Sequence, residues 1–221
     1  MNLAKHMDFF DATQLGVTIH IIGLGAVGSH VACMLTRLGC QKFRLYEFDI
    51  VVPHNVANQN YMADDVMKPK LDLTVEKMKA INPEVEIEAF EKGYDNQRLF
   101  GYVFLCADSI ELRRHIATDN QYNPHILAMM DFRMGLSDAQ HYMACWSDEK
   151  EVAALIKSMQ FTSEEAKAAQ PVSACGTSMS IIPTVWTIVA LGIANFINLF
   201  KGQPHKKLIL IDSFQPDVTA F

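Results

Sequence analysis

Hydrophobic positions along the chain switch between two periods. Residues 17–22 (VTIHII) form a β-branched run that stops at Gly23, and Val27, Val31, Met34, Leu35 and Leu38 then recur at helical spacing until Gly39. That predicts a strand, a glycine turn and a helix. Residues 42–48 (KFRLYEF) alternate as a second strand, so the unit is β-α-β, with parallel pairing and a right-handed crossover. A long loop follows. After Pro69, the spacing of Leu71, Val75, Met78 and Ile81 predicts a helix ending near Asn82 and Pro83, and 85–90 and 101–106 read as strands three and four. A helix over 109–120 starts from Ser109 as N-cap, and ILAMM at 126–130 reads as a fully buried fifth strand. An antiparallel strand over 139–146, a polar helix over 148–159, an apolar helix and a late strand over 207–211 complete the pattern, with the segment before the apolar helix unassigned. The expected fold is α/β: a doubly wound, Rossmann-like, mostly parallel sheet with a C-terminal antiparallel portion and a long apolar helix. No repeat or flexible linker divides the chain, so one domain over 1–221 is expected.

Composition narrows the function classes. Half the residues are apolar and 20% charged, which excludes a disordered chain, and 19 basic against 25 acidic residues give a net charge of -6, against a nucleic-acid-gripping role. Cysteines at 33, 40, 106, 145 and 175 are odd in number and form no CxxC or CxxH pair, so neither a disulfide framework nor a structural zinc site is expected. The eight histidines show no HxH or HExxH spacing, so no metal cluster is expected either. Asp8 and Asp11 interrupt the region where a signal peptide needs its apolar core, and a cytoplasmic location is the expectation. Between Lys167 and Lys201 lie 33 uncharged residues, and 181–200 approach the length of a membrane span. Pro183, Thr184, Thr187, Asn195 and Asn198 interrupt that run and no basic cluster flanks it, so a buried helix rather than a membrane role is expected.

Chemistry concentrates after the first strand. Gly23, Gly25 and Gly28 form GxGxxG at a strand-to-helix turn, with Ala26 and Val27 inside it and the acids Glu47 and Asp49 at the end of strand two. Such a turn lets backbone approach phosphate at a helix N-terminus, and an acid beside it can accept ribose hydroxyls. The motif alone leaves NAD, FAD and ATP open, and glycines there can also serve packing.

The following loop resembles one family. LYEFDIVVPHNVANQNY, then KPK, is similar to the DxDxVxxxNLxRQ-then-Lys pattern of the ubiquitin-activating E1-like superfamily, the ThiF, MoeB and HesA adenylyltransferases. The resemblance gives Glu47 the place of the ribose-binding acid, Asn55 that of the loop Asn, Gln59 that of the Gln and Lys70 that of the phosphate-contacting Lys. LCADSIELRRH continues it, with Asp108 as the acid that binds Mg2+ together with ATP. It implies activation of the C-terminal carboxylate of a small ubiquitin-like or sulfur-carrier protein, or of a peptide, with release of pyrophosphate, by a homodimer. Cys175 resembles the cysteine that takes the activated carboxyl in some relatives.

The chain also departs from that pattern. Asn58 stands where the family has Arg, and no Arg precedes strand one. Arg113, Arg114 and Arg133 are the candidate replacements. Two alternatives stay open: a catalytically silent E1-like binding subunit, motivated by Asn58, and an NAD(P)-dependent oxidoreductase, motivated by GxGxxG with Glu47.

Overall fold

The computed structural model describes residues 1–169, 171–173, 179–215 and 217–221. Strands β1 (Ile19–Ile22), β2 (Lys42–Tyr46), β3 (Glu86–Phe90), β4 (Gly101–Leu105) and β5 (Ile126–Met134) pair in parallel. Three more, β6 (Asp138–Cys145), β7 (Leu208–Asp212) and β8 (Asp217–Ala220), extend the sheet antiparallel. The order across it is β3-β2-β1-β4-β5-β6-β7-β8, so the chain reverses its direction of winding between β1 and β4. In open α/β sheets that point opens the ligand crevice.

Strand parity builds two cores. Ile21, Phe43, Phe104 and Phe132 face helices α1 (Gly28–Arg37), α2 (Lys70–Ile81) and α6 (Ile182–Phe200). Ile22, Val103, Leu105 and Met129 face α3 (Ile110–Asp119) and α4 (Glu149–Ser158). Neighbours along a strand thus fall in opposite cores, and every residue of the central strands β1 and β4 is buried because both their faces are covered.

Three places differ from the sequence expectation. β5 runs on to Met134, with Asp131 to Met134 pairing against Tyr142 to Ala139 of β6. Asp131 and Arg133 end the apolar run in sequence, yet here they pair with each other inside the sheet. Nor is β5 wholly buried, since the Leu127 side chain is half-exposed. A short helix α5 (Ser163–Ala168) buries none of its residues, and β8 is an exposed edge strand, so neither carries a hydrophobic signature.

The uncharged stretch forms α6 as the buried helix expected. Pro183 sits in its first turn, where the missing N–H costs nothing. Val185, Ile188, Val189, Ile193 and Phe196 pack on the sheet, each contributing about 2 kcal/mol through burial. It is the helix among the described residues long and apolar enough to cross a membrane, and half of it is buried within the protein. Close approach depends on Gly192: a Cβ there would stand 2.3 Å from the Phe132 ring and 3.1 Å from His141 Nδ1.

His141 is fully buried under that contact and, among the described residues, neither ring nitrogen has a hydrogen-bond partner. Burial pushes its imidazole down to about 4, and that of His20, also buried, to about 3. The unfolded chain takes up protons near pH 6.5 that the folded chain refuses, so stability is full above pH 6.5 and falls as the pH drops toward 4. Urea denaturation at pH 7 and pH 5 should show the lower midpoint at pH 5. A His141→Leu variant should lose less between the two pH values than the parent.

Candidate nucleotide site

Register sets the geometry of the site. Ile22 of β1 pairs with Tyr46 of β2 and with Leu105 of β4, and Leu105 pairs with Asp131 of β5. The ends of β1, β2 and β4 are therefore flush, and Gly23, Glu47 and Cys106 emerge at one edge, level with Asp131 of β5, which runs on past them to Met134. A cavity of about 680 Å3 opens there. Gly23, Gly25, Ala26, Val27, Glu47, Asp49, Asn55, Asn58, Gln59, Lys70 and Asp108 all line it, so residues spread over 86 positions of chain share one wall. Gly28 lies outside that wall: a Cβ on it would stand 1.9 Å from the Gly23 carbonyl oxygen, so its absence serves helix-on-strand packing. Cys175 lies outside the described residues.

Glu47 holds the glycine turn. Its buried carboxylate accepts the Leu24 N–H at 2.7 Å on Oε2, and the Phe48 and Asp49 N–H groups at 2.8 and 3.0 Å on Oε1. From the other side the Tyr61 hydroxyl donates to the Leu24 carbonyl at 2.8 Å and lies 3.1 Å from Thr74 Oγ1. The turn is thus clamped by both backbone polar groups of one residue, Leu24. Gly25, in contrast, faces open space where a Cβ would stand.

The loop between β2 and α2 contributes polar groups in mixed states. Asn55 is buried and its Oδ1 accepts the Val52 N–H at 3.0 Å, which satisfies loop backbone. Asn58 donates through Nδ2 to Ser180 Oγ, tying this loop to the chain that enters α6. Among the described residues Gln59 Oε1 is buried without a hydrogen-bond partner. Lys70 opens α2, and its buried ammonium pairs with the half-exposed Asp49 carboxylate at 3.0 Å.

Across the crevice Ser109 caps α3 by accepting the Leu112 N–H, so Asp108 is left exposed on the cavity wall rather than spent as a cap. The arginines divide. Arg113 and Arg133 line the cavity, but both point at Asp131, each at 2.7 Å, and Arg133 also donates to Ser158 while stacking 4.2 Å above the Tyr142 ring. Arg114 donates instead to the carbonyls of Met159 and Phe161. Lys167 of α5 joins the wall, unnoticed in the sequence because a lysine in a polar helix carries no pattern. Glu111 moors α5 through the Ser163 hydroxyl and N–H, and those hydrogen bonds hold its carboxyl down at about 2.

Residues 14–218 match the ThiF family. The chain belongs to that family. Over 73 residues this ThiF-family chain is 38% identical to ubiquitin-like modifier-activating enzyme 5 of Oryza sativa subsp. japonica, a match covering 33% of this chain and 17% of the relative. Against the enzyme of the same name from Culex quinquefasciatus it is 30% identical over 117 residues, covering 45% and 30%. The chain therefore spans less than a third of the length of these curated relatives. Among solved structures, E. coli MccB crystallised with ATP shares 17% identity at a TM-score of 0.68, over 95% of this chain and 65% of MccB. PaaA shares 17% at 0.66, over 94% and 64%. Those likenesses show the fold: the ThiF-family sheet with its mostly parallel order and long C-terminal helix.

Replacing Glu47 removes the acceptor of three backbone donors. Glu47→Ala should cost on the order of 3 kcal/mol in chemical denaturation, since charge-assisted hydrogen bonds are lost and buried N–H groups are left unpaired. A loss below about 1 kcal/mol would mean that the clamp is not needed to hold the turn.

Proposed function

We propose that this ThiF-family chain is an E1-like adenylyltransferase that uses ATP to activate the C-terminal carboxylate of a small protein or peptide. One observation carries the reading: the flush strand ends bring the glycine turn, Glu47, Lys70 and Asp108 onto a single cavity wall at the point where the sheet reverses its winding. Family membership supports it, as do relatives named as ubiquitin-like modifier-activating enzymes. So does MccB, a fold neighbour crystallised with ATP and with MccA.

The wall suits Mg-ATP. Open space over Gly25 admits phosphate to the N-terminus of α1, where the helix dipole favours anions. A carboxylate has about four lone-pair directions, so Glu47, with three used, keeps one for a ribose hydroxyl. Asp108 offers the hard oxygen that Mg2+ prefers. When bound there, Mg2+ supplies charge neutralisation on the phosphates.

Repulsion between anions is the chemical obstacle. An incoming carboxylate oxygen bonds to the α-phosphorus as pyrophosphate leaves, and negative charge gathers on the departing group. Lys70 answers it by turning from Asp49 to phosphate, a short move because the ion pair sits on the cavity wall. Lys167 lies on the same wall as a second mobile cation, whereas Asp131 and Ser158 immobilise Arg133. The outward face of α6, with Pro183, Ala190, Ala194 and a 59% exposed Trp186, is uncharged and supports a homodimer built on that helix. A second reading rests on Asn58, whose amide is engaged with Ser180 in the place of a phosphate-binding Arg: a subunit that binds nucleotide without turning it over.

Carrier-dependent exchange of pyrophosphate into ATP tests the chemistry. Asp108→Ala should lower it by about 100-fold or more while leaving the urea midpoint unchanged, because Asp108 is exposed and caps nothing. Exchange indifferent to Asp108 would overturn the assigned role. ATP binding with no exchange by any carrier would favour the silent subunit. For the dimer, Trp186→Glu should shift sedimentation from dimer to monomer.

A further inference from the structure

A second cluster lies on the opposite edge of the sheet. Cys145 ends β6, where it pairs with Ala128 near the start of β5, and none of its surroundings belong to the nucleotide cavity. Glu151 reaches it from the first turn of α4, and His205 from the chain that links α6 to β7. The three side chains come from separate elements, 60 positions apart at the extremes, yet their thiol, carboxylate and imidazole atoms all lie within 4.8 Å of one another. We propose that Cys145, Glu151 and His205 bind one divalent cation of the zinc class, with a fourth position open to water.

The spacing of the donor atoms suits a bound metal. Zinc bonds of about 2.3 Å to sulfur and about 2.05 Å to nitrogen, at a tetrahedral angle, place the two donor atoms about 3.6 Å apart. Cys145 Sγ and His205 Nε2 stand 3.5 Å apart. The frame around them is braced. Asn195 of α6 bonds both backbone groups of Lys206, beside His205, at 2.7 and 2.8 Å. The Cys145 N–H donates to Glu151 Oε2 at 2.8 Å, and Lys207 holds Oε1 at 3.0 Å. With the cation bound, thiolate and carboxylate neutralise its two charges and Lys207 keeps one carboxylate oxygen. The thiol proton passes to solvent.

Ligand chemistry also fits the cation. Thiolate with imidazole selects zinc-like ions over magnesium or calcium, and three protein ligands leave one coordination site open. Burial and the neighbouring Glu151 push the Cys145 thiol up to about 11, so without a cation it stays protonated and chemically quiet. Cys145 and His205 are only partly buried, which leaves an entry path. Such an ion would pin the end of β6 and the start of α4 to the chain entering β7, the antiparallel part of the sheet where no βαβ crossover braces the strands. It is unrelated to a CxxC-type zinc site, which this sequence lacks.

Cobalt reports the site directly. The full chain, made without a histidine tag, should take up about one equivalent of Co2+ with a thiolate-to-cobalt band in the near ultraviolet and tetrahedral bands in the visible, and Zn2+ should displace it. Cys145→Ser should abolish the thiolate band, and His205→Asn should weaken binding by more than about 10-fold. Cys175→Ser should leave the spectrum intact. Zn2+ should raise the melting temperature of the parent and of Cys175→Ser, but not of His205→Asn. Absence of a thiolate band in the parent, or its survival in Cys145→Ser, would overturn the site. His205→Asn, altering a partly exposed side chain, keeps the test decisive should Cys145→Ser fold poorly.

Discussion

The carboxylate of Glu47 is the contact on which the candidate nucleotide site depends. It gathers N–H groups from the turn after β1 and from the chain leaving β2, two segments that meet only because their strands are parallel neighbours in register. Backbone donors buried at strand ends must find acceptors, and a single buried anion satisfies three of them at once. Tyr61 completes the clamp from the loop. A glycine turn is intrinsically loose, so its use as a phosphate cradle requires that something outside it hold the peptide plane still.

A second constraint is electrostatic. Asp131 is wholly buried, and two guanidinium groups converge on it, so the triad carries one net positive charge beside the cavity without a free cation. Arg113 further donates to the carbonyls of Ala107 and Phe132, which fixes the turn bearing Asp108 relative to β5. Breaking one partner of such a buried network costs several kcal/mol because the others are left uncompensated. These arginines are therefore held in place by Asp131, and two lysines line the same cavity. Lys70 and Lys167 approach from opposite sides, one on α2 and one on α5.

The uncharged helix links site to sheet. Its inner face covers β5, β6 and β7, and Gly192 lets it settle against Phe132 and His141. Its entry is tied through Ser180 to Asn58 on the cavity wall. Asn58 thus joins the loop between β2 and α2 to the chain that enters the longest helix, which couples packing at α6 to the shape of the site.

Most of the fold was legible from hydrophobic period alone, because parallel central strands and the helices that cover them must bury continuous apolar faces. The existence and order of β1 to β7, Ser109 as cap, Lys70 as the start of α2 and α6 as a buried helix all follow from local pattern. The Asp131 to Met134 extension of β5, α5 and β8 did not, since charge pairing and edge exposure leave no apolar trace. The candidate site divides the same way. Gly23 and Gly25, with the acids Glu47 and Asp49, could be named from spacing, because a phosphate turn and its neighbouring acid lie at adjacent strand ends, whereas the choice of Glu47 and the naming of Lys70 and Asp108 rest on resemblance to a family. What spacing could not give was their state: that Glu47 is a clamp, that Gly28 packs, that Asn58 holds Ser180, that Asp131 binds both arginines. Nor could it bring Cys145, Glu151 and His205 together. Sequence determines what is periodic or contiguous along the chain. Which distant polar atoms come within hydrogen-bonding or ligating reach is decided by strand register and by the need of each buried polar group for a partner.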